Sequence, residues 1–165
     1  MTELRFLSPS RCGPDTVTSP LRRALDGSGA HVEDLSLQGV VEIRGDLDLV
    51  QATEWEELVR LSPRRGFLFT DGDPFEAAAR LREAGVLAYD ATGALAGLAL
   101  EGEQLMRRLT DLDLEHLPAA GPFARVNALV LRDGEERFRV YVPQELGHDV
   151  ALAVLDAIAG LELRA

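Results

Sequence analysis

One pattern occurs twice in this chain, and it restricts the fold more than any other feature. Residues 34–45 read DLSLQGVVEIRG, and residues 90–102 read DATGALAGLALEG. Each copy begins with an aspartate, passes through a turn that contains glycine, continues as an apolar strand and ends on a glycine before an expected helix. A strand–glycine–helix unit that recurs about every 55 residues predicts two related halves, which we place at residues 30–85 and 86–160.

Hydrophobic patterning and turn residues give the order of the expected elements. Asp73 followed by Pro74 marks a helix start, because aspartate caps a helix and proline fits its first turn. Residues 94–100 are apolar on both faces and predict a central strand, whereas residues 118–122 read as a loop. The predicted helices are 20–27, 46–61, 74–84, 102–109 and 143–159, and the predicted strands are 40–44, 66–70, 94–100, 124–131 and 136–142.

This order of elements decides the fold class. Short hairpins join antiparallel strands, whereas crossover helices join parallel ones. The sequence therefore predicts an α/β (α+β) fold, with a mixed sheet of the duplicated, ferredoxin-like split β-α-β type covered by helices. A chain of 165 residues is expected to form one domain. Residues 1–18, rich in Ser, Pro, Gly and Thr, read as a loose N-terminal arm, and residues 19–165 read as the domain.

Charge and composition exclude several classes of function. The net charge of −11 argues against nucleic-acid binding, because phosphates are held by clustered cations. All 17 basic residues are arginine, which excludes Schiff-base chemistry and a Walker-type phosphate loop. No apolar run reaches the ~20 residues of a membrane span, and the N-terminus lacks the apolar core of a secretory signal. We expect a cytoplasmic protein whose acidic surface serves solubility or meets a basic partner.

The metal-binding residue types are few and scattered. His31, His116 and His148 are far apart in sequence, and none is spaced with a carboxylate in a typical metal-site pattern. Cys12 is the only cysteine, so it cannot form an internal disulfide or half of a paired-cysteine metal site. These residues predict neither a metal centre nor a nucleophile.

The charged clusters each have two interpretations. Asp111 and Asp113 could serve as acid and base, or they could cap a helix terminus. Glu54, Glu56 and Glu57 are most simply a solvated helix face. Three arginine pairs could clamp an anion, or they could lie on the surface because of their charge alone: Arg22-Arg23, Arg64-Arg65 and Arg107-Arg108. The residues alone therefore identify no catalytic, cofactor-binding or metal-binding site.

Several segments together resemble one family. SPLRRAL (residues 19–25) and GAHVEDLSLQGVVEIRGD (29–46) resemble the opening of the gamma subunit of heterotetrameric sarcosine oxidase. Residues 66–114 and FRVYVPQELGHDVALAVLDAI (138–158) resemble the folate-binding aminomethyltransferase superfamily, which includes that subunit. The resemblance covers residues 19–160. It implies a soluble accessory subunit that binds the larger subunits of a flavin-dependent amine oxidase, or a homo-oligomer.

The chain departs from the catalytic members of that superfamily at the positions that matter for chemistry. Asp90-Ala91-Thr92 replaces a D-x-S motif, and Gln144 with Glu145 replaces the end of a V-P-R-S turn. Residues 132–136 read RDGEE where the folate-dependent enzymes carry a catalytic aspartate pair. The resemblance thus implies a non-catalytic accessory or scaffold protein without a cofactor. The alternatives are a truncated folate-binding one-carbon transferase module and a stand-alone domain with another role.

Overall fold

The computed structural model describes residues 18–26 and 32–163. Only Thr18 of the predicted arm lies within these ranges, and both Cys12 and His31 lie outside them. The division of the chain into an arm and a single domain therefore stays a prediction.

Four helices and nine strands make up this part of the chain. The helices are Arg22–Leu25 (α1), Pro74–Glu83 (α2), Glu103–Leu109 (α3) and Gly147–Glu162 (α4). The strands are Glu33–Asp34 (β1), Gly39–Arg44 (β2), Glu56–Ser62 (β3), Arg65–Thr70 (β4), Leu87–Asp90 (β5), Leu95–Glu101 (β6), Ala119–Phe123 (β7), Val126–Arg132 (β8) and Arg137–Pro143 (β9).

The strands form two sheets, and each sheet contains a split β-α-β unit. Strand order is β1-β6-β9-β8-β7 in one sheet and β3-β4-β2-β5 in the other. Strands β4 and β5 both pair antiparallel with β2, so they run parallel to each other, and α2 connects them. Strands β6 and β8 flank β9 in the same way, with α3 in their connection. The predicted fold class is confirmed, with an antiparallel strand inserted between the two parallel strands of each unit.

The two sheets pack face to face, and helices cover their outer faces. Helix α2 packs on the outer face of the four-stranded sheet, whereas α1, α3 and α4 pack on that of the five-stranded sheet. A third apolar cluster fills the space between the sheets and consists of Val40, Val59, Phe67, Phe69, Leu129, Leu131 and Tyr141. Each fully buried side chain of this kind contributes about 1.5–3 kcal/mol, so all four layers are held by apolar burial.

The strongest local signals correspond to observed elements. Asp73 caps α2, since its Oδ1 accepts a hydrogen bond from the amide of Phe75 at 2.8 Å. After the helix, Gly85 has φ +96°, a conformation that glycine adopts without the steric cost a side chain would add. Strand β6 lies between β1 and β9, and Leu98 at its centre is completely buried. The prediction of a central strand at residues 94–100 is therefore confirmed.

Residues 46–61 do not form the predicted helix. The chain makes a single 3-10 turn at Leu47–Leu49 and then forms β3, which pairs with β4. Leu58 packs with the core under α2, and Leu61 packs with the cluster between the sheets. A strand that carries apolar residues on both faces loses the alternation by which a strand is recognised, so its pattern resembles that of a helix.

Residues 118–122 are not a loop, because most of them belong to β7. This strand pairs with β8 at the edge of the five-stranded sheet. Its sequence AAGPF has little strand propensity, but Phe123 is completely buried and anchors it to the core. Proline is tolerated at an edge, where one side of the strand has no ladder to complete.

Candidate interaction site around Trp55

A groove lies at the end of the four-stranded sheet, where β4 leads into α2. Its volume is about 620 Å³, and it is bounded by the loop before β3, the end of β4 and the first turns of α2. We call it the Trp55 groove. Its lining residues are Thr53, Trp55, Glu56, Thr70, Asp71, Gly72, Asp73, Glu76, Ala77 and Arg80.

An ion pair between Glu56 and Arg80 fixes the loop that carries Trp55. Arg80 Nη2 donates to Glu56 Oε1 and Oε2 at 2.5 and 2.7 Å, and Arg80 Nη1 donates to the carbonyl of Gln51 at 3.0 Å. The Glu56 side chain is only 6% exposed. Burial acts to raise the pKa of Glu56, but hydrogen bonds from the Thr53 amide and from Arg80 outweigh it and hold the pKa below its ordinary value. Glu56 is therefore ionised, and its role is to hold the loop in place through its ion pair with Arg80.

Trp55 projects from a fixed backbone into solvent. Its side chain is 67% exposed, and it is the only tryptophan of the chain. Its carbonyl accepts a hydrogen bond from the amide of Asp71 at 3.4 Å, and the amide of Glu56 donates to the carbonyl of Thr53 at 3.1 Å. Tryptophan is enriched where proteins contact each other, so an exposed indole on a rigid loop marks this surface as a candidate interaction site.

Carboxylates surround Trp55 on both sides. A second cavity of about 240 Å³ shares Trp55 with the groove. Among the described residues, Arg80 is the only cation that lines either cavity, and it is paired with Glu56. Four other carboxylates line the two cavities and form no ion pair with any residue that the structure describes: Glu54, Asp71, Asp73 and Glu76. The surface around the indole is therefore negatively charged.

Arg139 links the two sheets beside this surface. From β9, its Nη2 donates to Glu57 Oε2 on β3 at 2.5 Å and to Asp133 Oδ1 at 2.8 Å. Its guanidinium lies 5.4 Å from the centre of the Phe69 ring, and its side chain is 11% exposed. Burial acts to lower the pKa of Arg139, but hydrogen bonds to Asp133 and Glu57 outweigh it and raise the pKa. Arg139 therefore stays charged and joins the sheets.

Tyr141 completes the polar contacts between the sheets. Its hydroxyl donates to Gln38 Oε1 at 2.5 Å, and its ring lies 4.6 Å from the Phe69 ring, measured between centroids. Burial raises the pKa of Tyr141 to about 12, so the hydroxyl remains neutral at pH 7. Tyr141 therefore acts as a hydrogen-bond donor within the fold.

The prediction that Glu54, Glu56 and Glu57 form a solvated helix face is wrong. A strand directs successive side chains to opposite faces, so Glu56 meets Arg80 on α2 and Glu57 meets Arg139 on the other sheet. Both arginines are distant in sequence, and no local pattern indicates them. The one available signal was the lone tryptophan within an acidic stretch.

A third cavity, of about 530 Å³, lies between α3, α4 and the turn that joins β7 to β8. Asp111 and Asp156 line it together with Arg108 and Arg125, so its charges are of both signs. Ala124 and Arg125 have φ of 46° and 71°, the left-handed conformation that favoured two-residue hairpin turns require. The balanced charges favour no ligand of a particular sign.

Asp113 has a capping role. Its Oδ1 accepts a hydrogen bond from the amide of Glu115 at 3.1 Å, and its Oδ2 lies 2.8 Å from Nδ1 of His116. The Glu115 amide and His116 hold the pKa of Asp113 below its ordinary value. Asp111 lines the third cavity instead, so the structure places the two carboxylates in different surroundings.

The arginine pairs lie on three separate elements: on α1, in the turn from β3 to β4, and on α3. Arg65 pairs with Glu42 at 3.1 Å, and Arg107 pairs with Glu103 one helical turn earlier at 2.6 Å. Arg108 donates to the carbonyl of Ala157 at 3.3 Å. The structure therefore does not bring the pairs together into an anion clamp.

No three or more His, Cys, Asp or Glu side chains in the described ranges are arranged to hold a metal ion. His116 ends a 3-10 turn, and His148 lies in the first turn of α4. No helix in this part of the chain is both long and apolar enough to span a membrane.

Comparison with known proteins gives a likeness in structure. No family model matches the chain, and no curated protein matches its sequence. The fold is similar to a chain of the heterotetrameric sarcosine oxidase from Corynebacterium sp. U-96, solved with pyrrole 2-carboxylate, with a TM-score of 0.75 and 15% identity over 87% of this chain and 95% of that chain. The regulatory subunit of aspartate kinase from Thermus thermophilus gives a TM-score of 0.47 and 16% identity over 78% of this chain and 97% of its own.

The first of these likenesses shows a fold of the sarcosine oxidase subunit type. It does not specify which subunit of the heterotetramer the chain resembles. The family resemblance read from the sequence is thus supported at the level of the fold.

Proposed function

We propose that this protein is a non-catalytic accessory subunit of a larger, sarcosine-oxidase-like flavoenzyme, similar in role to a gamma subunit. The observation that carries the proposal is the likeness to a chain of a heterotetramer, which extends over 95% of that chain. Because the likeness spans almost the whole of one component of an assembly, it supports a role as one component of such an assembly.

The use of the polar residues supports a role through protein contacts. The polar groups of Glu56, Arg139 and Tyr141 are largely shielded from solvent, and each holds one part of the fold to another. Trp55 and Phe75, by contrast, are both 67% exposed. The shielded polar side chains thus stabilise the fold, whereas large aromatic side chains lie at the surface, where a partner can cover them.

Purification of the tagged chain from its native cells tests this proposal. We expect larger subunits to elute with it at a fixed stoichiometry through affinity and size-exclusion steps, with flavin absorbance in the same fractions. An unrelated acidic protein with the same tag is the control. Elution of the chain by itself, free of any flavoprotein, would contradict the proposal.

An activity measurement distinguishes an accessory role from catalysis. Oxidation of an N-methyl amino acid should require the flavin-containing subunits, and the isolated chain should show none. If the isolated chain turns over such a substrate unaided, the accessory role is wrong.

A further inference from the structure

We infer that the Trp55 groove is the docking site for an arginine-bearing segment of a partner protein, with one guanidinium stacked on the indole and paired with the surrounding carboxylates. This inference adds a contact chemistry to the proposed function, on which it rests for the identity of the partner. A cationic peptide probes the groove independently of that partner.

The aromatic part of the surface supplies the contact area. Trp55 forms one wall of the groove, and Phe75 lies on the first turn of α2 between the groove residues Asp73 and Glu76. Both aromatic side chains are 67% exposed. One exposed apolar residue is ordinary for a soluble protein, but here two large aromatics are exposed, one on the loop and one on the helix that bound the groove.

The charge of the groove selects the occupant. A guanidinium within about 6 Å of an indole ring is attracted by the negative face of the ring. Asp71, whose amide donates to the Trp55 carbonyl, and Glu76 on α2 provide carboxylates that line the groove and form no ion pair with any described residue. The one cation of the described lining, Arg80, is held by Glu56. A cationic segment is therefore attracted by both ring and carboxylates, whereas an acidic segment is repelled.

A second copy of this chain fits the groove poorly. A symmetric contact through Trp55 would bring the same acidic surface from each copy together, and each copy carries a net charge of −11. Like charges that face each other across an interface disfavour association. A partner with basic side chains at the contact avoids this repulsion.

The groove is also rigid before any partner arrives. The Glu56–Arg80 pair holds the loop at Gln51, and the Asp71 amide holds the carbonyl of Trp55. A loop that is already ordered loses less conformational entropy when a partner binds. The indole is therefore held in place for a cation.

Titration with a hexa-arginine peptide tests the inference, because the emission of the lone tryptophan reports directly on the groove. At low salt we expect a saturable change in Trp55 emission, weakened by added salt. Asp71→Asn combined with Glu76→Gln should lower the affinity about tenfold, since two ion pairs are lost. The matched control combines Glu145→Gln, just before α4, with Glu162→Gln, at the last residue of α4. It removes the same charge and should lower the affinity less than about twofold.

Three results would overturn the inference. The first is an equal loss of affinity in the groove variant and the control, which means general attraction to an acidic protein. The second is peptide binding seen by calorimetry without any change in Trp55 emission, which places the peptide elsewhere. The third is a change in Trp55 emission that follows protein concentration but not peptide concentration, together with self-association that Trp55→Ala abolishes. This result would identify a second copy of the chain as the occupant of the groove. Circular dichroism checks that each variant is folded, and none of these results depends on whether a flavoprotein co-purifies.

Discussion

Replacing Arg80 with methionine should destabilise this protein more than neutralising its partner Glu56. Arg80→Met keeps much of the aliphatic stem but removes the two hydrogen bonds from Nη2 to Glu56 and the one from Nη1 to the Gln51 carbonyl. Glu56, whose side chain is 6% exposed in the wild type, then keeps only its hydrogen bonds with Thr53 among the described residues. An unpaired carboxylate in that position is poorly hydrated.

The structure sets the magnitude. Breaking a buried ion pair by removal of one partner costs about 3–5 kcal/mol. Because the Arg80 side chain is 41% exposed, water can enter the vacated space, and we expect the lower end, about 3 kcal/mol. Glu56→Gln leaves Arg80 accessible to water and retains an acceptor for the Thr53 amide, so it should cost about 1 kcal/mol.

Chemical and thermal denaturation measure both variants. A loss of about 3 kcal/mol lowers the midpoint by about 6–12 °C in a chain of this size. The folded-state pKa of Glu56 is lowered, so the stability that the pair contributes is complete above the ordinary value of 4.5 and is lost as pH falls through the folded value. Without Arg80, burial raises that pKa. The deficit of Arg80→Met relative to wild type should therefore be greatest at neutral pH and should shrink in acid.

Equal losses in Arg80→Met and Glu56→Gln, both independent of pH, would refute this reasoning. Such a result would mean that solvent screens the pair in the way it screens an ordinary surface contact. The loop that carries Trp55 would then not be fixed by this pair.

Further predictions concern the core and the ligand. Leu98→Asp should unfold the protein, because a carboxylate would replace a completely buried leucine in β6. The control, Arg137→Ala, removes one exposed ion pair with Glu33 and should cost at most about 1 kcal/mol of stability. Equal melting midpoints for the two variants would contradict the assignment of β6 as a central strand. Gly97→Ala would place a Cβ 2.7 Å from the Tyr141 ring and should cost about 1–3 kcal/mol, whereas Gly93→Ala meets nothing within 4 Å and should be neutral by denaturant titration. Calorimetry should detect no binding of tetrahydrofolate to the isolated chain, and a micromolar dissociation constant, about 8 kcal/mol of binding, would favour the one-carbon transferase alternative.

Local signals predicted those elements that depend on local chemistry. Asp73 and Pro74 indicated the start of α2, and continuous apolar residues indicated the interior strand β6. The repeated pattern at residues 34–45 and 90–102 indicated β2 and β6, each an interior strand of one sheet.

The groove could not be predicted, because its contacts join residues that are remote in sequence. Glu56 and Arg80 are 24 residues apart, and Glu57 and Arg139 are 82 apart. Until β3 pairs with β4, nothing in the acidic stretch indicates that successive glutamates face different arginines. The acidic stretch up to residue 61 was predicted to be a helix, but it contains β3, in which Leu58 and Leu61 pack with different cores.

Oxidative footprinting of Trp55 in the purified native complex tests the central claim most directly. Hydroxyl radicals oxidise an exposed indole, and the 67% exposure of Trp55 makes it reactive in the free chain. If the protein is an accessory subunit that docks through the Trp55 groove, oxidation of Trp55 should fall severalfold in the complex relative to the free chain. Equal oxidation in a complex that contains the flavoprotein would contradict the claim.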